Sequence, residues 1–117
     1  MSTIASTKNS GSTDYLGVLV VATATAGTTI HTAVAGTSDY DEVWLYANNS
    51  HTGSVLLTVE FGGVATKDLI QFTIPSKSGL NLIIPGLRLQ NGHVVTAFAD
   101  TANVIGIQGF VNRITVA

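Results

Sequence analysis

From Val43 to Ala47 the chain alternates Val43, Leu45 and Ala47 with Trp44 and Tyr46, and from Val55 to Phe61 it alternates Val55, Leu57, Val59 and Phe61 with Leu56, Thr58 and Glu60. Period-two patterning places successive side chains on opposite faces, so both segments are predicted as β-strands. The link Asn48-Asn49-Ser50-His51-Thr52-Gly53 consists of residues that accept left-handed backbone or hydrogen-bond their own main chain. It predicts a hairpin, which we place at the centre of an antiparallel sheet.

The same pattern continues outward. Residues 1–13 are Ser, Thr, Asn and Gly with little to bury and are expected to form an extended, mobile arm, followed by a β-domain over residues 14–117. The apolar run Tyr15 to Thr23 reads as a strand with Gly17 at a bulge. It is too short to cross a bilayer, which takes about 20 apolar residues, and the polar arm before it does not suit a signal peptide. Thr28 to Val34 is β-branched and reads as another strand, and Gly36 to Asp41 reads as a loop. Gly62-Gly63 marks a turn, and Leu69 to Ile74 is a strand ended by Pro75. Leu80 to Ile84 is expected to stop at Pro85-Gly86, with Leu87 to Leu89 as a separate extended piece. Asn91-Gly92 is a strong hairpin signal before a strand at Val94 to Ala99. Val104 to Val116 is the last strand, with Gly106 and Gly109 as expected bulges. About eight short strands at this spacing predict an all-β antiparallel sandwich, for which a jelly-roll connection is one route. No helical period of useful length occurs.

Composition then limits what such a domain does. A chain of 117 residues with 45% hydrophobic residues forms one domain with a core that needs no staples. There is no cysteine, so disulfides and thiolate metal sites are excluded. Five Lys and Arg residues and a net charge of −2 leave no basic stripe for nucleic acid. Charged residues are 10% of the chain, against about 25% in an ordinary soluble domain. Mixed charge keeps small domains apart in solution, so this surface is expected to be covered by a partner.

Candidate chemistry is sparse. His31, His51 and His93 have no second ligand at a local spacing that would preorganise zinc, and they are expected to be solvated or interfacial. Asp39, Asp41 and Glu42 are the best cation candidates, but they lack the remaining ligands of a calcium loop and are expected to cap a strand. Glu60 with Asp68 would be the only nearby carboxylate pair for glycoside hydrolysis, and Glu60 is expected to face solvent. No nucleophile elbow surrounds any serine, and Gly62-Gly63 lacks the Lys and helix of a phosphate cradle. We therefore assign no catalytic, metal or cofactor residues. An enzyme would require a buried constellation of His31, His51 or His93 with Asp41 or Glu60. Tyr15, Tyr40, Trp44 and Tyr46 are the candidates for a sugar-stacking platform, although aromatic residues in a strand usually serve packing.

The runs IHTAVAGTSDYDEVWLYANNS, LTVEFGG, DLIQFTIPSKSGLNLIIPGLRLQNGHVVTAFA and ANVIGIQGFVNRI resemble small virion structural proteins of tailed bacteriophages, in particular the capsid decoration or cement proteins of icosahedral heads. The resemblance lies in the order of strands and turns. It implies a non-enzymatic protein on the capsid exterior, assembled in the host bacterial cytoplasm, whose partner is the major capsid protein of the head. It also implies a homo-oligomer, dimer or trimer, and contact with the shell through the N-terminal arm. Nucleic acid and membrane are not expected partners. A tail, neck or fibre component and a sugar-binding adhesin are the alternative readings.

Overall fold

The computed structural model describes residues 2–117; Met1, the first residue of the expected arm, lies outside the described residues. Nine strands follow in order: β1 (Thr3–Thr7), β2 (Val18–Leu19), β3 (Thr28–Thr32), β4 (Tyr40–Asn49), β5 (Val55–Phe61), β6 (Leu69–Ile74), β7 (Asn81–Leu89), β8 (Val94–Ala99) and β9 (Ile105–Thr115), with one 3-10 turn at Thr66–Asp68. They form two antiparallel sheets. The front sheet has the order β1-β9-β4-β7, with β2 beside β1 on the same edge of β9, and the back sheet has the order β3-β8-β5-β6.

The connectivity is a jelly roll. Strands β5 and β6 pair, and outward from them β4 pairs with β7, β3 with β8 and β2 with β9. The chain is thus one long hairpin folded so that alternate strand pairs fall on opposite sheets, the arrangement of double Greek keys.

This topology corrects the expected central hairpin. Strands β4 and β5 do not pair and lie in different sheets. Asn49 shows why: its Oδ1 accepts from the His51 N–H at 2.8 Å, while its Nδ2 donates to Gly53 and Ile74 carbonyls at 3.0 and 2.9 Å. The link bends as its residues predict, but the bend carries the chain across the sandwich. The Asn91-Gly92 turn behaves likewise. Both residues have positive φ, 61° and 69°, and His93 N–H closes the turn on Gln90 O, yet β7 and β8 sit in opposite sheets. Turn chemistry fixes a local bend and leaves the partner of the next strand open.

Other differences have equally local causes. β7 runs through Pro85, because it is an edge strand paired only with β4, where a missing N–H can face solvent. Both register shifts of the β4–β7 ladder fall on this strand. Gly106 and Gly109 are not bulges in the β4 ladder, whose register with β9 is unbroken from Tyr40↔Ile114 to Asn49↔Ile105. A Cβ on Gly109 would overlap the Trp44 carbonyl oxygen, so this glycine permits close approach of two backbones. Between Tyr15 and Thr23 only Val18–Leu19 is strand, with Asp14 and Tyr15 in left-handed backbone just before it.

The core lies between the sheets. Along β4, Val43, Leu45 and Ala47 are fully buried while Trp44 and Tyr46 lie on the outer face, and Leu57, Val59, Ile84, Val95, Ile105 and Val111 close on them from the other strands.

The expected arm is folded onto its own domain. Residues 3–7 form β1 against Val111–Thr115 of β9, with nearly all their side chains in solvent. Residues 9–12 then cross to the free edge of β3, where Gly11 N–H donates to Ile30 O at 2.9 Å and Ser10 Oγ accepts from Thr32 N–H at 2.7 Å. Asn9 and Ser12 are buried. The segment therefore straps the open side of the sandwich, from the front sheet to the back.

Candidate functional site

The alternation that buries Val43, Leu45 and Ala47 also turns Asp41 inward, because Asp41 belongs to β4 and not to the preceding loop. A carboxylate inside a sandwich needs strong partners. Register supplies one, since Asp41 and Arg113 are cross-strand neighbours. Arg113 Nε donates to Asp41 Oδ1 at 2.8 Å and Nη2 to Oδ2 at 3.0 Å, a bidentate pair. His31 Nε2 lies 2.8 Å from Oδ2, and the Val34 N–H adds a fourth donor at 3.1 Å. Burial opposes the charge on Asp41, but the hydrogen bonds from Arg113 and His31 outweigh it and hold the carboxyl below its usual range.

This is the buried His–carboxylate pair that would revive an enzyme, so its chemistry matters. The His31 Nδ1 accepts from the Ser10 N–H at 3.0 Å. That bond assigns the ring proton to Nε2, which donates it to Asp41. Both nitrogens are committed, and the ring is 1% exposed. Ser10 contributes its backbone and not its hydroxyl to His31, so the ring activates no nucleophile. The pair instead links the N-terminal strap to β4 and β9. The expectation that His31 would be solvated or interfacial is thereby corrected.

Glu60 is a second correction. It is fully buried, because the loop before β3 covers this part of the back sheet. The Thr25 hydroxyl donates to Oε2 at 2.7 Å, and the Gly27 N–H and Thr96 hydroxyl donate to Oε1 at 2.8 and 2.6 Å. Burial again works against the charge, and these three neutral donors overcome it, holding the carboxyl below its usual range. Asp68 is elsewhere occupied, paired with Lys67 at 2.8 Å.

A carboxylate whose pKa is lower folded than unfolded binds fewer protons in the folded state, so its stabilisation is present above the usual carboxylate range and lost as pH falls through the folded value. Both Asp41 and Glu60 have this sign. The melting temperature should hold near neutral pH and fall increasingly steeply below about pH 4. Glu60→Gln should melt lower at pH 7 and show a shallower acid limb; an unchanged limb would mean that Glu60 does not contribute to it.

The remaining sequence candidates are dispersed. Asp39, Asp41 and Glu42 do not converge: Asp39 Oδ1 accepts from Val116 N–H, Asp41 points inward, and Glu42 lies on the outer face, 3.8 Å from Arg88. Among the described residues no three His, Asp or Glu side chains gather as metal ligands. His51 lies in the β4–β5 link and His93 at the β7–β8 turn. The aromatic residues divide as well. Tyr40, Trp44 and Tyr46 share the outer face of β4, whereas Tyr15 lies outside the strands. Trp44 stacks on Phe110 with centroids 6.2 Å apart and packs against Gly86, and its buried Nε1 has no partner among the described residues. Its ring serves the sheet's outer packing and offers no open stacking platform.

What the sequence does not reveal is where the uncovered apolar side chains gather. Leu80, Leu82 and Leu87 are exposed on and beside β7, one free edge of the front sheet. On the opposite edge, Ile4, Leu19 and Val21 are exposed on β1 and around β2. One sheet thus presents apolar groups to solvent at both of its edges. Comparison with models of known families, with curated proteins and with solved structures finds no match to this chain.

Proposed function

We propose that this chain is a non-enzymatic virion structural protein, a capsid decoration or cement protein that binds the exterior of an assembled phage head and ties neighbouring major capsid subunits together. Jelly rolls serve viral shells and carbohydrate-binding domains alike, so the surface and not the roll carries the reading. The observation that supports it is the pair of apolar edges on the front sheet, with Leu80, Leu82 and Leu87 at one and Ile4, Leu19 and Val21 at the other. They occur on a chain with only 10% charged residues. Exposed apolar groups of this kind mark surfaces that partners cover.

The mechanism is multivalent. One edge joins copies of the chain into a dimer or trimer, and the other, with β1, meets the shell. Linking several modest contacts makes the later ones intramolecular and raises net affinity by orders of magnitude.

The arm test follows from the strap geometry. Removing residues 1–13 would strip the hydrogen bonds that residues 9–12 make to β3, so the informative truncation removes residues 1–7 and with them β1. The shortened chain is expected to stay folded and to cosediment with stripped heads at least about tenfold more weakly. Equal binding would remove the arm from the mechanism. Leu80→Asp with Leu82→Asp should abolish self-association. Labelling on the tail instead of the head of intact particles would favour a tail, neck or fibre component.

A further inference from the structure

We propose that the open depression between the β3–β4 loop and the β7–β8 turn binds a small carboxylate-bearing sugar, of the uronic acid type, through Arg88. The site lies at one end of β7, next to Leu87 of the apolar edge, and its ligand is not the shell protein. The depression has a volume of about 470 Å³, within the size range of small-molecule sites.

Its walls are preformed. The Asn91 N–H donates to Gly36 O at 2.9 Å, the Gly92 N–H to Val34 O at 3.0 Å, and the Ala33 N–H to His93 O at 2.9 Å. With its nitrogen turned toward the loop, the Gln90 side-chain amide would also donate to the Thr37 and Asp39 carbonyls, 3.2 Å away. Loop and turn are tied by the backbone bonds, so little conformational entropy is lost on binding.

Charge selects the ligand. Arg88 and His93 line the depression, and no Asp or Glu does, on a chain whose net charge is −2. The Arg88 guanidinium carbon lies 4.8 Å from the centroid of the Tyr40 ring, a cation–π contact that restrains the side chain. Its Glu42 partner is 3.8 Å away, outside hydrogen-bond distance, and the Arg88 side chain is 65% exposed. A planar fork of solvent-exposed N–H groups matches a planar carboxylate. One guanidinium without a second permanent cation or a helix N-terminus suits a monoanion better than a phosphate. The other lining groups suit a saccharide: Asn91, Thr37 and His93 can bond hydroxyls, and Leu89 provides an apolar surface for a sugar ring.

The test titrates the full chain with glucuronic acid, glucose and inorganic phosphate, following backbone and His93 ring signals by NMR. Glucuronic acid should shift signals of residues 37, 88 and 91–93, and glucose should bind at least tenfold more weakly. Arg88→Gln and His93→Ala alter exposed side chains, so both should melt as the unaltered chain does. Each should weaken glucuronic acid, Arg88→Gln by tenfold or more. Equal affinity for glucose and glucuronic acid, tighter binding of phosphate, unchanged affinity in Arg88→Gln, or no shift at these residues would each overturn the proposal.

Discussion

Asp41→Ala is expected to destabilise the domain by about 3 kcal/mol, the lower end of what breaking a buried ion pair costs, because Arg113 is partly exposed and regains water. The loss has three parts. The His31 Nε2–H and the Val34 N–H lose their acceptor inside the sandwich, and each buried donor left unpaired costs about 1–3 kcal/mol. Arg113 loses a bidentate partner. In urea unfolding the midpoint should fall while the slope stays constant, which separates lost stability from a change in the denatured state. A local signature should accompany it. His31 positions the Ser10 N–H, so hydrogen exchange at Ser10 and Thr32 should speed up more than exchange at Leu57 or Val59 at the centre of β5. A loss below about 1 kcal/mol, the net worth of one ordinary hydrogen bond, would show that Asp41 is not the point on which strap, β4 and β9 depend.

Gly109→Val should have the larger effect and yield insoluble or unfolded chain. Gly109 faces Leu45 in the longest ladder of the front sheet, and a Cβ there would overlap the Trp44 carbonyl oxygen. Its φ of 154° is one that L side chains rarely adopt. Even Gly109→Ala must separate two backbones packed on a closed core, at a cost of roughly 3 kcal/mol when strain and overpacking are combined. Gly106 is the internal control. The three heavy atoms nearest a Cβ there all belong to the Asn48 side chain, which can rotate away, so Gly106→Ala should cost about 1 kcal/mol or less. Soluble yield and thermal melting of the two alanine variants give the comparison; equal losses would mean that close backbone approach is not what selects Gly109.

The strands themselves were largely legible. Val55 to Phe61, Leu69 to Ile74 and Val94 to Ala99 are strands with the expected bounds, because alternation and flanking Gly or Pro report directly on local backbone. Sheet partners were not legible, since Asn49 and Asn91 specify bends without saying whether the chain returns beside itself or crosses to the other sheet. The buried polar centre was half visible. Asp41 is in phase with Val43, Leu45 and Ala47, and a carboxylate at an inward position demands a partner. That partner, Arg113, is 72 residues away in the sequence, beyond any local spacing rule. Glu60 could not have been assigned, because on its strand it falls in the outward phase and only the folded loop around Thr25 and Gly27 buries it. The depression at Arg88 depends on two loops brought together by the roll, so its composition is scattered through the sequence.

The position of β9 has a consequence for how the chain acquires its shape. The last of the nine strands in sequence is an inner strand, with β4 on one side and β1 and β2 on the other. During translation the first two strands therefore wait without their partner, and one edge of β4 stays bare, until the ribosome has delivered residues 105–115. The front layer is then completed in two stages, β4 with β7 once residue 89 is made and β1 and β2 only with β9, and a nascent chain stopped short of β9 keeps one edge of β4 uncovered.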